Sequence, residues 1–161
     1  MKLEDYTNYF QTRLNNFGYT IDTMKLQILR YNIQKIGRKD KKIMLAFPVP
    51  SKVKHIFFSS YLPNLTINIL EDYIGATFNY FHKELGFVTI TIPIIFTENP
   101  MNEVVNFINH QDFQYMMKGM AIPALVDTKT DNRYIINNAP FKGSMLYNKF
   151  LPEIKEIIGG K

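Results

Sequence analysis

The nine residues 88–96, Val-Thr-Ile-Thr-Ile-Pro-Ile-Ile-Phe, carry no charge and constrain this chain more than any other stretch. A strand with one face in water alternates apolar with charged or polar side chains. A run this apolar reads instead as a strand buried on both faces, the pattern of parallel strands joined by helices. Pro93 withholds one backbone donor and marks an edge or an irregular end. Helical spacings on either side supply the connections. Ile67, Leu70, Ile74, Phe78 and Phe81 predict a helix over residues 66–85, capped by Gly86. Asn99-Pro100 opens a second helix to about residue 120, whose buried face includes Val104, Ile108, Phe113, Met116 and Met117.

The flanking segments complete an element order. Leu3, Tyr6, Phe10 and Leu14 predict a helix over 3–16, ended by Gly18 as a left-handed cap. Residues 23–36 have strand composition with neither face cleanly apolar. Gly37-Arg38-Lys39-Asp40 reads as their turn, and 42–47 as the returning strand, stopped by Pro48 and Pro50. Residues 53–60 read as a buried strand. Near the C-terminus, a strand over 121–126 opening with Ile122-Pro123, a polar turn over 127–132, a strand over 133–138 and a helix over 141–158 follow. The expectation is one α/β domain. Residues 1–50 form an N-terminal helix plus basic β-hairpin extension, and 51–161 form the core.

From residue 53 the order is β-α-β-α-β-β-α, and with the Ile122-Pro123 strand it resembles the thioredoxin-like fold over residues 53–158. The resemblance implies a cis Ile122–Pro123 bond beside the active-site corner, although proline is also ordinary at the first residue of a strand. It further implies a Cys-x-x-Cys motif where the first core strand meets its helix. That junction reads Phe58-Ser59-Ser60-Tyr61-Leu62-Pro63-Asn64, with Ser60 nearest the nucleophilic position and Pro63 nearest the second. The chain contains no cysteine, so thiol oxidoreductase chemistry is excluded. What survives of the resemblance is a protein-binding groove at Ser60, Tyr61, Ile122 and Pro123. As a hydrolytic nucleophile Ser60 needs a base, and the spacing of His55, His82 and His110 supplies none; a turn or helix-start serine is the plainer reading. A ferredoxin-like or other mixed α/β sandwich is the alternative fold.

Charge is distributed unevenly. The net charge is +5, yet residues 25–55 hold nine basic residues against Asp40 alone, about +8, leaving the remainder near −3. Lys35, Arg38, Lys39, Lys41, Lys42, Lys52 and Lys54 are the candidate contacts for an anionic partner, with Tyr31 able to stack on a base. Lysines on a strand edge also discourage unwanted sheet pairing. No metal-ligand spacing is found: His82 precedes Glu84, and His110 precedes Asp112, by two residues in each case. Asp127-Thr128-Lys129 faintly matches the acidic-x-Lys element of some metal-dependent nucleases, but a polar turn explains it better.

With 46% hydrophobic and 20% charged residues, and with no signal-peptide-like apolar stretch in the first residues, the sequence predicts a soluble, cytoplasmic protein. The expected function is a non-catalytic protein-interaction or assembly subunit, with a protein partner or homo-oligomer and no cofactor. The alternative is a nucleic-acid-binding protein using the basic hairpin. A third possibility is an enzyme whose site is assembled only on folding.

Overall fold

The buried run becomes the middle of a mixed sheet in the computed structural model, which describes residues 2–44, 50–85, 88–111, 113–115, 118–137 and 145–159. The elements are α1 (Leu3–Asn16), β1 (Thr20–Ile28), β2 (Tyr31–Met44), β3 (Pro50–Tyr61), α2 (Ile67–Leu85) and β4 (Val88–Thr97). They continue with α3 (Asn102–His110), β5 (Phe113–Tyr115), β6 (Gly119–Ala121), β7 (Ala124–Asp127), β8 (Arg133–Ile135) and α4 (Met145–Ile158). The fold class is therefore α/β, with four helices and eight strands among the described residues.

β1, β2 and β3 form an antiparallel meander. β4 then pairs parallel with β3, Phe57 lying opposite Ile92. On its other side β4 pairs parallel with β6 through Thr89–Thr91, and with β7 through Ile94–Thr97. The antiparallel strands β5 and β8 close that edge beside β6 and β7. Every residue of β4 after Val88 is buried, as its composition demands.

Helices cover both faces. On one, Tyr6, Phe10 and Leu14 of α1, with Phe150, Ile154, Ile157 and Ile158 of α4, pack on Phe57, Ile92, Ile94, Phe96 and Val126. On the other, Leu70, Tyr73, Ile74 and Phe81 of α2, with Val104 and Ile108 of α3, pack on Ile56, Phe58, Ile95 and Leu125. Burying each such side chain stabilises the fold by roughly 1.5–3 kcal/mol.

Three expectations need correction. The hairpin turn is not at residues 37–40. It falls at Leu29-Arg30, where Leu29 takes φ 52°, and Gly37 lies inside β2. Gly37 is a bulge glycine: both its pairings shift register nearby, and a Cβ there would come within 3.1 Å of the Thr20 carbonyl oxygen. The helix expected to reach residue 120 ends at His110, because Gln111 turns to an extended backbone and β5 and β6 follow. Finally, Ile122–Pro123 is trans and opens no strand; it interrupts one, between β6 and β7. The register of β4 with β6 and β7 is continuous across that gap, so Pro123 sits level with Pro93, where neither residue has a donor to contribute. The expected Gly86 cap, the strand over 45–47 and the start of the last helix at 141–144 lie outside the described residues.

From residue 50 onward the expected element order recurs with β5 and β6 added. Across the sheet this part runs β3-β4 and then splits, β4 pairing with β6 and through it β5, and with β7 and through it β8.

Candidate functional site

Where α1 begins, it leaves part of its sheet face uncovered, and the residues below form a groove of about 590 Å³. Its wall is Leu3, Glu4 and Thr7 of α1, and its far end is Phe96. Antiparallel pairing sets the floor. Lys25 lies opposite Gln34, and Gln27 opposite Asn32, while Gln34 lies opposite Ser59 on its other side. Residues paired this way point to one face, so three amides, a hydroxyl and an ammonium converge there. Tyr61, two residues beyond Ser59, joins the same face and donates to Glu98 Oε1 at 3.4 Å. Leu3 and Tyr61 are each 41% exposed, giving the groove an apolar rim. It opens toward β1, the edge strand, which among the described residues pairs with β2 alone.

The four residues expected to form a peptide groove are not brought together. Strand β4 separates Ser60 and Tyr61 from Ile122 and Pro123, and the last two are buried. Ser60 itself is a structural hydroxyl within β3, neither turn nor helix start. It donates to the Asn32 carbonyl at 2.8 Å and accepts from the Tyr73 hydroxyl at 2.9 Å. Its proton is thus held by a backbone carbonyl, which is poor preparation for nucleophilic attack. Of the four, Ser60 and Tyr61 line the open groove, and Ile122 and Pro123 do not.

The basic candidates divide by how the fold uses them. Lys35 is buried and paired with Asp22 at 2.9 Å, holding that carboxyl below its usual range. Lys39 donates to the Phe17 carbonyl at 2.6 Å and lies over the Tyr19 ring, closing the C-terminus of α1. Arg38 and Lys52 are exposed, and Lys54 is half-buried. Lys41 and Lys42 continue β2, their backbones paired with Val53 and Lys52. These residues lie toward the end of the sheet opposite the groove, since β3 runs from Pro50 there to Tyr61 at the groove. Tyr31, offered as a stacking ring, is buried and donates to Asp72 at 2.6 Å.

Among the described residues no cluster of His, Asp and Glu is arranged to hold a metal ion. Asp127 is the centre of a turn. Burial alone would raise its pKa, but the backbone N–H groups of Lys129 and Asn99 and the Thr130 hydroxyl overcome that and hold it low. His55 is fully buried, 2.9 Å from the Tyr19 hydroxyl and edge-on to the Phe150 ring. No helix among the described residues is long and apolar enough to cross a membrane.

Compared with known proteins, the chain matches no protein-family model, no curated protein and no solved structure.

Sequence reasoning missed the groove because its polar floor comes from three strands at once. The available signal was the mixed face of residues 23–36, where Lys25, Gln27, Asn32 and Gln34 keep the alternation from becoming apolar. Chemically, the groove offers neutral hydrogen-bonding groups beside an apolar rim and a sheet edge. That is equipment for holding an extended chain.

Proposed function

We propose that this protein is a non-catalytic interaction or assembly subunit that receives an extended segment of a partner protein along β1 and the adjoining groove. The observation carrying this reading is the junction of an edge strand with an uncovered stretch of sheet face. β1 is nine residues long, with five of its first six residues exposed. An incoming strand would gain backbone hydrogen bonds from the edge. Side chains reaching the groove would meet the amides of Gln27, Asn32 and Gln34 and the apolar rim of Leu3 and Tyr61. The thioredoxin-like scaffold remains an expectation drawn from element order. The interaction reading does not depend on it, because the corner that fold would use is divided by β4.

The test is affinity isolation of the tagged full chain from its native source in nuclease and high salt. Wild type is compared with Leu3→Asp/Tyr61→Asp. A defined stoichiometric partner retained by wild type and lost by the folded double variant supports the reading. Equal recovery with both proteins, or no partner with either, refutes it.

A further inference from the structure

Five of the seven exposed large hydrophobic residues among those described, Leu3, Ile21, Met24, Leu29 and Tyr61, lie on β1, its turn or the adjoining groove. Apolar side chains gathered at one place on a surface mark an interaction site. The backbone there is specific as well. Ile28 and Tyr31 close the two-residue turn, so they exchange both of their hydrogen bonds. The alternation of an antiparallel ladder then directs Leu26 to Ile33 and Met24 to Lys35 in the same way. It leaves the N–H and C=O groups of Lys25 and Gln27 pointing away from β2. The side chains of these two residues face the groove, while Leu26 and Ile28 belong to the core on the α2 side. The irregularity between Ile21 and Met24 ends this stretch, so the regular free edge is Met24–Ile28.

We infer that the first occupant of this edge is a second copy of the chain, its β1 paired antiparallel about a two-fold axis at Leu26. This rests on the reading of β1 as a receiving edge and names what it receives. An antiparallel neighbour bonds to the edge only where its own outward-facing residues lie opposite Lys25 and Gln27. Between two copies of Met24–Ile28 that permits three registers. Lys25 opposite Lys25 sets like charges together, which is destabilising. Gln27 opposite Gln27 brings Leu29, already in the turn at φ 52°, opposite Lys25. The remaining register, Lys25 opposite Gln27, uses the whole stretch. It forms four backbone hydrogen bonds, sets Leu26 opposite Leu26 and Met24 opposite Ile28, and places no like charges together. Met24, 47% exposed, is covered. The partner's Lys25 and the partner's Gln27 extend the floor of the groove across the axis. A two-fold contact of this kind closes on itself, and the irregularity at Ile21–Met24 stops it lengthening. So short an edge is below the size of a stable interface, so the pair is transient and a longer partner segment displaces it.

Sedimentation equilibrium of the full chain from about 1 μM to about 1 mM spans the affinities expected of so small a contact. Dimer should accumulate toward the upper end. Gln27→Lys sets like charges opposite at two symmetric sites and should weaken the dimer by roughly 2- to 30-fold. Gln27→Glu faces Lys25 at the same two sites and should strengthen it by a similar factor. Gln27 is exposed, and circular dichroism checks that both variants fold. Because the chain has no cysteine, disulfide trapping supplies a measurement independent of those variants. Leu26→Cys places two thiols across the axis with Cα atoms about 4.5 Å apart, within disulfide reach, and should cross-link under mild oxidation. Thr23→Cys, exposed on the same strand, lies about 20 Å from its copy and should not. Monomer at every concentration overturns the inference, as does a shift in the same direction by both Gln27 variants or equal cross-linking by both cysteine variants. Binding of another protein's segment stands or falls separately, on whether bound peptide protects β1 from hydrogen exchange.

Discussion

The Tyr73 hydroxyl donates to Ser60 Oγ at 2.9 Å, and Ser60 passes a hydrogen bond to the Asn32 carbonyl at 2.8 Å. Three elements, α2, β3 and β2, are thereby tied through one buried chain. Burial drives the Tyr73 hydroxyl well above the ordinary phenol range, so it stays a donor at any physiological pH.

Ser60→Ala should therefore destabilise the fold by about 1–3 kcal/mol, because it strands a buried phenol and a carbonyl together. Tyr73→Phe should cost only about 1 kcal/mol, since Ser60 keeps its acceptor. Urea denaturation of both variants and their double mutant should show costs that do not add, as expected for groups in one network. Additive costs would mean that the two hydroxyls act separately.

Two glycines should respond in opposite directions. At Gly119, φ is 136° and a Cβ would lie 1.8 Å from the Thr89 carbonyl oxygen, a backbone atom with no room to retreat. Gly119→Ala should cost more than about 3 kcal/mol or prevent folding. Gly75, within α2, has no atom within 4 Å of the same position, so Gly75→Ala should stabilise by about 0.5–1 kcal/mol. Thermal denaturation measures both.

Lys39 belongs to the end of α1, where it meets the Phe17 carbonyl and the Tyr19 ring. Lys39→Met should lower stability by about 1 kcal/mol through the lost bond to the Phe17 carbonyl. Urea denaturation measures the loss, and an unchanged midpoint would contradict the role given to Lys39.

The pH dependence of stability follows from Asp22 and Asp127, both held below the usual carboxylate range. The ion pair and hydrogen bond from Lys35 hold Asp22 there. For Asp127, burial pushes the other way and is overcome by three hydrogen-bond donors. A depressed carboxyl contributes stability that is present above its unfolded pKa, about 3.9, and is lost as pH falls through the folded value. Stability should be level from neutrality to about pH 5 and decline below about pH 4. Asp127→Asn should be less stable at neutral pH and show a shallower acid decline. An acid profile identical to wild type would contradict the role given to this turn.

Much of the layered architecture could be read from spacing, because β4, α1 and α2 each bury enough apolar surface to declare their period. Leu3 to Leu14 and Ile67 to Phe81 correspond to observed helices. Legibility failed where one residue type serves several purposes. Gly37 looked like a turn and is a bulge, while the real turn at Leu29-Arg30 uses a leucine with positive φ that no turn signal announces. Phe113, Met116 and Met117 continued a helical spacing, yet Phe113 belongs to β5, since Gly119 must approach β4 closely and the chain has to turn to reach it. Pro123 suggested a cis corner and instead marks, with Pro93, a break in a parallel ladder. The candidate groove was hidden because pairing register, not sequence proximity, brings Lys25, Gln27, Asn32, Gln34 and Ser59 to one face.

The interaction reading is tested most directly by hydrogen–deuterium exchange of the full chain, free and bound to an extended peptide selected against it from a random library. Exchange should slow at the backbone amides of Met24–Ile28, with weaker or no binding by Leu3→Asp/Tyr61→Asp. Protection confined to other elements, or unchanged exchange in β1 at saturating peptide, would contradict it.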